Sequence, residues 1–294
     1  MTTGAHELTC TATDGSGNSA EQPCTMQVQV TDDQAPSFGD TCPADATIPT
    51  DAGKRTAVVQ WTTPVASDNV AVTKTTVVSM PPANFTSGQT LDMDTVVTMT
   101  YTAYDAQGLS AVCEFSITVI DEEKPTISGC PTEDIVQSTD PGLASAIVQG
   151  PQLTAMDNSG IVVLQQVAGL AWGRFPLGMT KQAFRASDQD ENYRYCNFSV
   201  IIEDKEPPTI NNCPSDIVVP ANTGKTTAKA FWPALQIHDN VDGDISTWDS
   251  ESSPQVDLQH GSDFPTGVTT VTLTATDKAG NSATCSFTVT VGWV

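Results

Sequence analysis

Thr274-Ala275-Thr276-Asp277-Lys278-Ala279-Gly280-Asn281-Ser282-Ala283-Thr284-Cys285-Ser286-Phe287-Thr288-Val289-Thr290-Val291 is the stretch that decides the fold. Val and Thr alternate into Asp277, a Gly-Asn turn follows, and a second alternating run carries a cysteine and a phenylalanine. Alternation is the period of a strand, and Asp, Gly and Asn are turn formers, so the stretch predicts a β-hairpin. It recurs three times. Thr11-Ala12-Thr13-Asp14 leads to Cys24, Thr102-Ala103-Tyr104-Asp105 to Cys113, and Arg185-Ala186-Ser187-Asp188 to Cys196. The anchoring aspartates at 14, 105, 188 and 277 are 91, 83 and 89 residues apart. A period of this size means tandem modules, each the length of a small domain.

The 294 residues therefore hold three complete modules and the end of a fourth. The expected division is 1–31 (a closing hairpin), 32–120, 121–203 and 204–294. The chain carries 35 acidic and 12 basic residues, a net charge of −23. That charge repels nucleic acid and anionic membrane surfaces, and it suits hard cations such as Ca²⁺. No apolar run reaches transmembrane length, so no membrane insertion is expected within this segment. Met1 opens directly on a closing hairpin, and no signal peptide is read; the expectation is a piece of a longer secreted or cell-surface chain. Val291-Gly292-Trp293-Val294 lacks another acidic joint, so the array is expected to finish there.

Eight cysteines follow the repeat: Cys10, Cys24, Cys42, Cys113, Cys130, Cys196, Cys213 and Cys285. No CxxC occurs, which argues against structural zinc. Even parity, with one pair per module, points to disulfides and an oxidising compartment. Cys10 stands where the other hairpins have Tyr101, Phe184 and Leu273. Cys10 and Cys24 are expected to bridge their own hairpin; the alternative pairs Cys24 with an upstream cysteine.

Each complete module opens on a short acidic joint closed by proline: Asp32-Asp33-Gln34-Ala35-Pro36, Asp121-Glu122-Glu123-Lys124-Pro125 and Asp204-Lys205-Glu206-Pro207. Proline makes these joints extended, and without Gly/Ser linkers the modules should nearly abut. Strand alternation fills the modules, with turn residues every 8–12 positions, which predicts a two-sheet sandwich. Trp61 and Trp232 occupy equivalent places and are expected in the core, while the middle module has Gly150 there.

These features combine into a recognisable pattern: an acidic joint with proline, Cys213-Pro214-Ser215-Asp216-Ile217, Phe231-Trp232-Pro233, Asp239-Asn240, Phe264-Pro265-Thr266-Gly267 and the closing hairpin. It closely resembles the hyalin repeat, or HYR, module. The resemblance covers residues 33–294 in three copies and 1–31 as a fragment. It implies an all-β chain of tandem immunoglobulin-like β-sandwiches arranged end to end, extracellular and adhesive. The second copy departs at Gly150 and in its closing turn Asp188-Gln189-Asp190-Glu191-Asn192; the first has Phe85-Thr86-Ser87-Gly88 in place of Phe-Pro-x-Gly. Within modules the pairs are Cys42–Cys113, Cys130–Cys196 and Cys213–Cys285, each joining a module's opening to its last strand.

Candidate chemistry centres on calcium. Carboxylates gather at the joints (Asp32, Asp33, Asp121, Glu123, Asp204, Glu206) and in Asp-Asn loops (Asp68-Asn69, Asp157-Asn158, Asp239-Asn240, extended by Asp242 and Asp244). Ca²⁺ takes six to eight oxygens, several from carboxylates, and these segments can supply them; the same residue types also form ordinary turns. Asn84-Phe85-Thr86 and Asn197-Phe198-Ser199 are N-glycosylation sequons. The three histidines (His6, His238, His260) form no triad spacing, and no GxSxG, HExxH or phosphate loop occurs, so no enzyme is expected.

The expected function is a disulfide-stapled spacer and interaction segment of a secreted, matrix or cell-surface protein. Its partners would be other extracellular proteins or further modules of the same chain. One alternative is a filament or appendage subunit formed by homo-assembly; another is a receptor ectodomain for a glycan or protein ligand.

Overall fold

Alternation in the sequence becomes alternation in burial. In Val96–Tyr104, Val97, Met99, Tyr101 and Ala103 are buried; in Ser110–Ile120, Cys113, Phe115, Ile117 and Val119 are. The computed structural model describes residues 2–258 and 261–292, so His260 lies outside the described residues.

The first module has a four-stranded sheet in the order Ala46–Pro49, Ser110–Ile120, Val96–Tyr104, Lys74–Met80. The closing hairpin is antiparallel, and the opening strand runs parallel to the last one, with Ala46 opposite Ile117. The third module repeats the order with Ile217–Pro220, Ser282–Gly292, Gly267–Thr276 and Asp249–Ser253. The second uses Ile135–Ser138, Tyr193–Glu203, Gly178–Ser187 and Val163–Ala168. Each module adds a two-stranded sheet: Thr56–Val58 with Thr90–Asp92, Ser145–Val148 with Gly173–Pro176, and Thr227–Lys229 with Asp263–Pro265; the second and third carry a further small sheet, Thr126–Ser128 with Thr154–Met156 and Thr209–Asn211 with Gln236–Asp239 and Gly243–Asp244. Each module has its own core drawn from both sheets. The chain is all-β, in tandem immunoglobulin-like sandwiches.

Disulfides join Cys42 to Cys113, Cys130 to Cys196 and Cys213 to Cys285, with Cα separations of 5.6, 5.8 and 5.7 Å. The Asp that follows Cys-Pro, after one residue in the first and third modules and two in the second, has a second task. The carboxylates of Asp45, Asp134 and Asp216 accept the backbone N–H of Ser116, Ser199 and Thr288 at 2.7–2.8 Å. Each opening strand is thus registered on the closing strand by a covalent bond and a charge-assisted hydrogen bond close together.

At the N-terminus, Gly4–Cys10 pairs with Cys24–Val30 and sets Cys10 opposite Cys24. The bridge expected between them is not formed: both are free and exposed. The position of Cys24 is that of Cys285, which faces Leu273 across the ladder but bonds to Cys213 in its module's opening segment. The ladder brings these two positions opposite each other without making them disulfide partners.

The middle module solves its core differently. Trp61 packs edge-on to Phe115 at 5.9 Å and Trp232 edge-on to Phe287 at 5.3 Å. Gly150, at the corresponding place, leaves room for Trp172, which arrives from a later loop. That indole stacks on Phe184 and Phe198 at 6.4 and 6.1 Å. A Cβ on Gly150 would lie 2.2 Å from Trp172 Cε2. The tryptophan has moved along the sequence while its place in the core is kept.

By compactness the chain divides into two units. One comprises residues 1–126, 156–162 and 187–193; the other holds 127–155, 163–186 and 194–294. Two turns of the second module therefore belong with the first module.

Gly150→Ala should force Trp172 off its stack and cost about 1–3 kcal/mol of stability, the usual range for overpacking. Denaturant unfolding followed by tryptophan fluorescence measures it; the same exchange at the exposed Gly142, whose left-handed φ of 71° leaves open space around a Cβ, provides a strain-only control.

Candidate metal centres

Three short segments of each module bring one aspartate apiece to a common place. The joint supplies Asp32, Asp121 or Asp204, the Asp-Asn loop Asp68, Asp157 or Asp239, and the turn of the closing hairpin Asp105, Asp188 or Asp277. In every triad one carboxylate oxygen from each residue lies within 4.8 Å of the others. Asp32, Asp105, Asp121, Asp239 and Asp277 are buried.

Local turn chemistry gives each carboxylate a backbone donor on one oxygen. Asp68 Oδ1 accepts the N–H of Val70 and Ala71, Asp239 Oδ1 those of Val241 and Asp242, and Asp157 Oδ1 that of Ser159. The joint aspartates accept from Gln34, Glu123 and Glu206. In the hairpin turns Asp188 and Asp277 take the backbone N–H of Asn192 and Asn281 on Oδ1 and the side-chain amide on Oδ2. Asp105 has Leu109 in that position, which offers no side-chain amide, and its Oδ1 accepts the backbone N–H of Gln107 and Leu109.

The other oxygens are the informative ones. Oδ2 of Asp68, Asp105, Asp121, Asp157 and Asp239 is buried without a partner, and so are the Oδ1 atoms of Asn158 and Asn240. An unsatisfied buried carboxylate oxygen costs free energy, and three carboxylates this close repel. The Asp204 carboxyl is accordingly pushed up by burial first and then by the charges of Asp239, Asp277 and Asp242. Asp190, beside the second triad, is pushed up by partial burial and by Asp94, Asp121, Asp188 and Asp157. A hard cation answers both faults, since it supplies the missing partner and the opposite charge.

The expected ligand set is only partly gathered. Asp32, Asp68, Asp121, Asp157, Asp204 and Asp239 converge, and Asn158 and Asn240 adjoin them through hydrogen bonds to Asp121 and to neighbouring loops. Asn69 is exposed and donates to Asp32. Asp33 is exposed outside the triads. Glu123 and Glu206 instead accept the backbone N–H of Gly53 and Gly142. Asp242 pairs with Lys278 at 2.8 Å, which holds its carboxyl below the usual range, and Asp244 faces His238 at 3.0 Å. Asp105, Asp188 and Asp277 were absent from the expected set, although their recurrence marked the repeat itself. Both sequon asparagines, Asn84 and Asn197, are exposed.

Disulfide-bonded β-sandwiches in tandem, each with a partly buried aspartate triad, define the class: an extracellular chain of tandem β-sandwich modules. The chain belongs to the HYR domain family, whose profile matches residues 31–119, 120–202 and 203–291. Hyalin of Strongylocentrotus purpuratus is 29% identical over 98% of this chain and 23% of its own length; hyalin of Lytechinus variegatus is 29% identical over 98% and 52%. The chain thus spans about a quarter and about half of these relatives. Among solved structures, the extracellular domain of protocadherin gammaB4 aligns over 98% of this chain and 55% of its own at 17% identity, with a TM-score of 0.31. HYR and hyalin proteins are non-catalytic families, and the chain is extracellular or on the cell surface.

The raised Asp204 pKa has a testable sign. Its ionised form is disfavoured by folding, so the penalty is absent below the ordinary carboxylate range and complete above the raised value. In chelator, Asp204→Asn should match wild type at the acid end and be the more stable of the two at neutral pH. Thermal unfolding across that pH range measures the difference; a variant less stable at neutral pH in chelator would contradict it.

Proposed function

We propose that this chain is a calcium-holding, disulfide-stapled spacer and interaction segment of a larger matrix or cell-surface protein, without enzymatic activity of its own. The observation that carries the reading is the aspartate triad repeated in all three modules with buried, unpartnered carboxylate oxygens. Bound Ca²⁺ would neutralise the convergent charge. The joint, loop and hairpin aspartates would hold it, and backbone N–H groups already orient those carboxylates. Affinity in the range of extracellular modules, roughly 10⁻⁴–10⁻³ M, suits a surrounding fluid rich in calcium. The net charge of −23 keeps such surfaces apart until ions screen or bridge them.

The staples support the spacer part. Each disulfide closes a sequence separation of 66–72 residues between a module's opening and its last strand. Tension along the backbone would pass through the sulfur bridge and leave most of the sandwich outside the loaded path. The outward Asn84 and Asn197 are candidate glycan carriers. Partners are proposed to be other extracellular proteins or further modules of the same chain.

Calorimetric titration with CaCl₂ should resolve binding in all three complete modules and raise their melting temperatures. Asp188→Asn should abolish or weaken the second module's site alone, and no heat and no stabilisation at millimolar calcium would overturn the reading. In single-molecule pulling, reductant should add about 20–25 nm of contour length per module at roughly 3.3–3.6 Å per residue released. Equal extension in both redox states would remove the mechanical role.

A further inference from the structure

The asparagine that follows the loop aspartate has two faces with different partners. Asn158 Nδ2 donates to Lys54 O at 3.0 Å, to Thr50 Oγ1 at 3.2 Å and to Asp121 Oδ1 at 3.0 Å. Thr50 and Lys54 belong to the preceding module. Asn240 repeats the arrangement, donating to Leu143 O at 2.9 Å and Thr139 Oγ1 at 3.4 Å of its own preceding module. The carbonyl oxygen of each amide is buried and has no partner. Beside them, Asp121 and Asp239 are 4% and 2% exposed, and each keeps an unpartnered Oδ2. The receiving loops are built alike. Lys54 N–H closes a turn on Asp51 O and Leu143 N–H one on Asp140 O, while Gly53 and Gly142 donate to Glu123 and Glu206.

We propose that Asn158 and Asn240 are coupling residues: the amide oxygen ligates the cation of its own module while the amide nitrogen clamps the loop of the module before it. This rests on the calcium reading of the triads and adds what the ion does beyond its own module. Ligation would fix the amide rotamer and polarise the group, which strengthens N–H donation from the same plane. Cation binding then closes the Thr50–Arg55 and Thr139–Leu143 loops. Arg55 Nη1, which donates to Ser159 O, adds a second tie at the first of these contacts. The first complete module lacks the device. Its Asn69 is exposed and bonds to Asp32 of the same module, and Gln34 replaces the glutamate of the other joints.

The test separates oxygen from nitrogen. Asn158→Asp and Asn240→Asp keep a ligand oxygen but remove the donor. Calcium binding is read by calorimetry, and loop closure by amide hydrogen exchange of residues 50–55 and 139–143 in calcium and in chelator. In the wild type, calcium should slow exchange in both loops by about tenfold, the effect of roughly one hydrogen bond to a polarised group. Each Asp variant should still bind calcium in its module and lose that slowing in its own loop alone; Asn69→Asp should leave the slowing in both loops intact. Calcium-dependent protection that survives in the two Asp variants overturns the coupling and leaves the calcium sites standing, as does wild-type binding without any change in loop exchange. Failure of the wild type to bind calcium overturns both.

Discussion

Three carboxylates cannot share a half-buried space within 4.8 Å without a compensating charge or a penalty. That constraint governs each module. The backbone spends N–H groups on one oxygen of each aspartate, which fixes orientation but does not cancel charge. The remaining oxygens of Asp121 and Asp239 stay buried and unpaired, and the Asp204 carboxyl is driven upward. A fold that merely tolerated acidic turns would let these side chains swing into water. Here the joint, the loop and the hairpin turn hold them together, which is the physical basis for reading a cation centre.

The rest of the module keeps those three segments in place. The opening strand lies parallel to the closing strand, and their pairing cannot be set by a short turn because the connection spans most of the module. A disulfide and an Asp-to-backbone bond fix it instead, at Cys213–Cys285 and Asp216 to Thr288 in the third module. The aromatic cluster then holds the two sheets together. Its tolerance for relocation is instructive: Trp172 fills from one loop what Trp61 and Trp232 fill from another, and Phe198 retains its indole partner. Packing demands a volume and a ring at a place, not at a sequence position.

For an extracellular chain of HYR modules, this economy has a functional meaning. Disulfides and an acidic surface belong to the same oxidising, ion-rich environment, the one in which the proposed calcium sites would fill. The acidic joint follows the preceding module directly in sequence, and the Asp-Asn loops of the second and third modules bond to loops of that preceding module. Under the proposed reading, an ion held there serves the module's own stability and, through Asn158 and Asn240, the loop of the module before.

Much of this was legible in the residues. The period of the hairpin, strand alternation and the placement of cysteines determined the all-β tandem architecture, because core burial in a strand has a period of two and the hairpin and its cysteine recur once per module. Six of the nine triad aspartates were legible as acidic joints and Asp-Asn loops. Asp105, Asp188 and Asp277 were visible as repeat markers yet read only as turn formers, since a turn aspartate looks the same in sequence whether or not other carboxylates lie nearby. Cys10 and Cys24 show the converse: their register makes them neighbours, yet both stay free and exposed, and the equivalent Cys285 bonds to Cys213 instead of to the residue opposite it on the ladder. Local patterns determined which strands and turns exist. Only the tertiary structure decided which aspartates converge, that Trp172 replaces the missing tryptophan, and which amide reaches into another module, because those contacts join residues tens of positions apart that no local period relates.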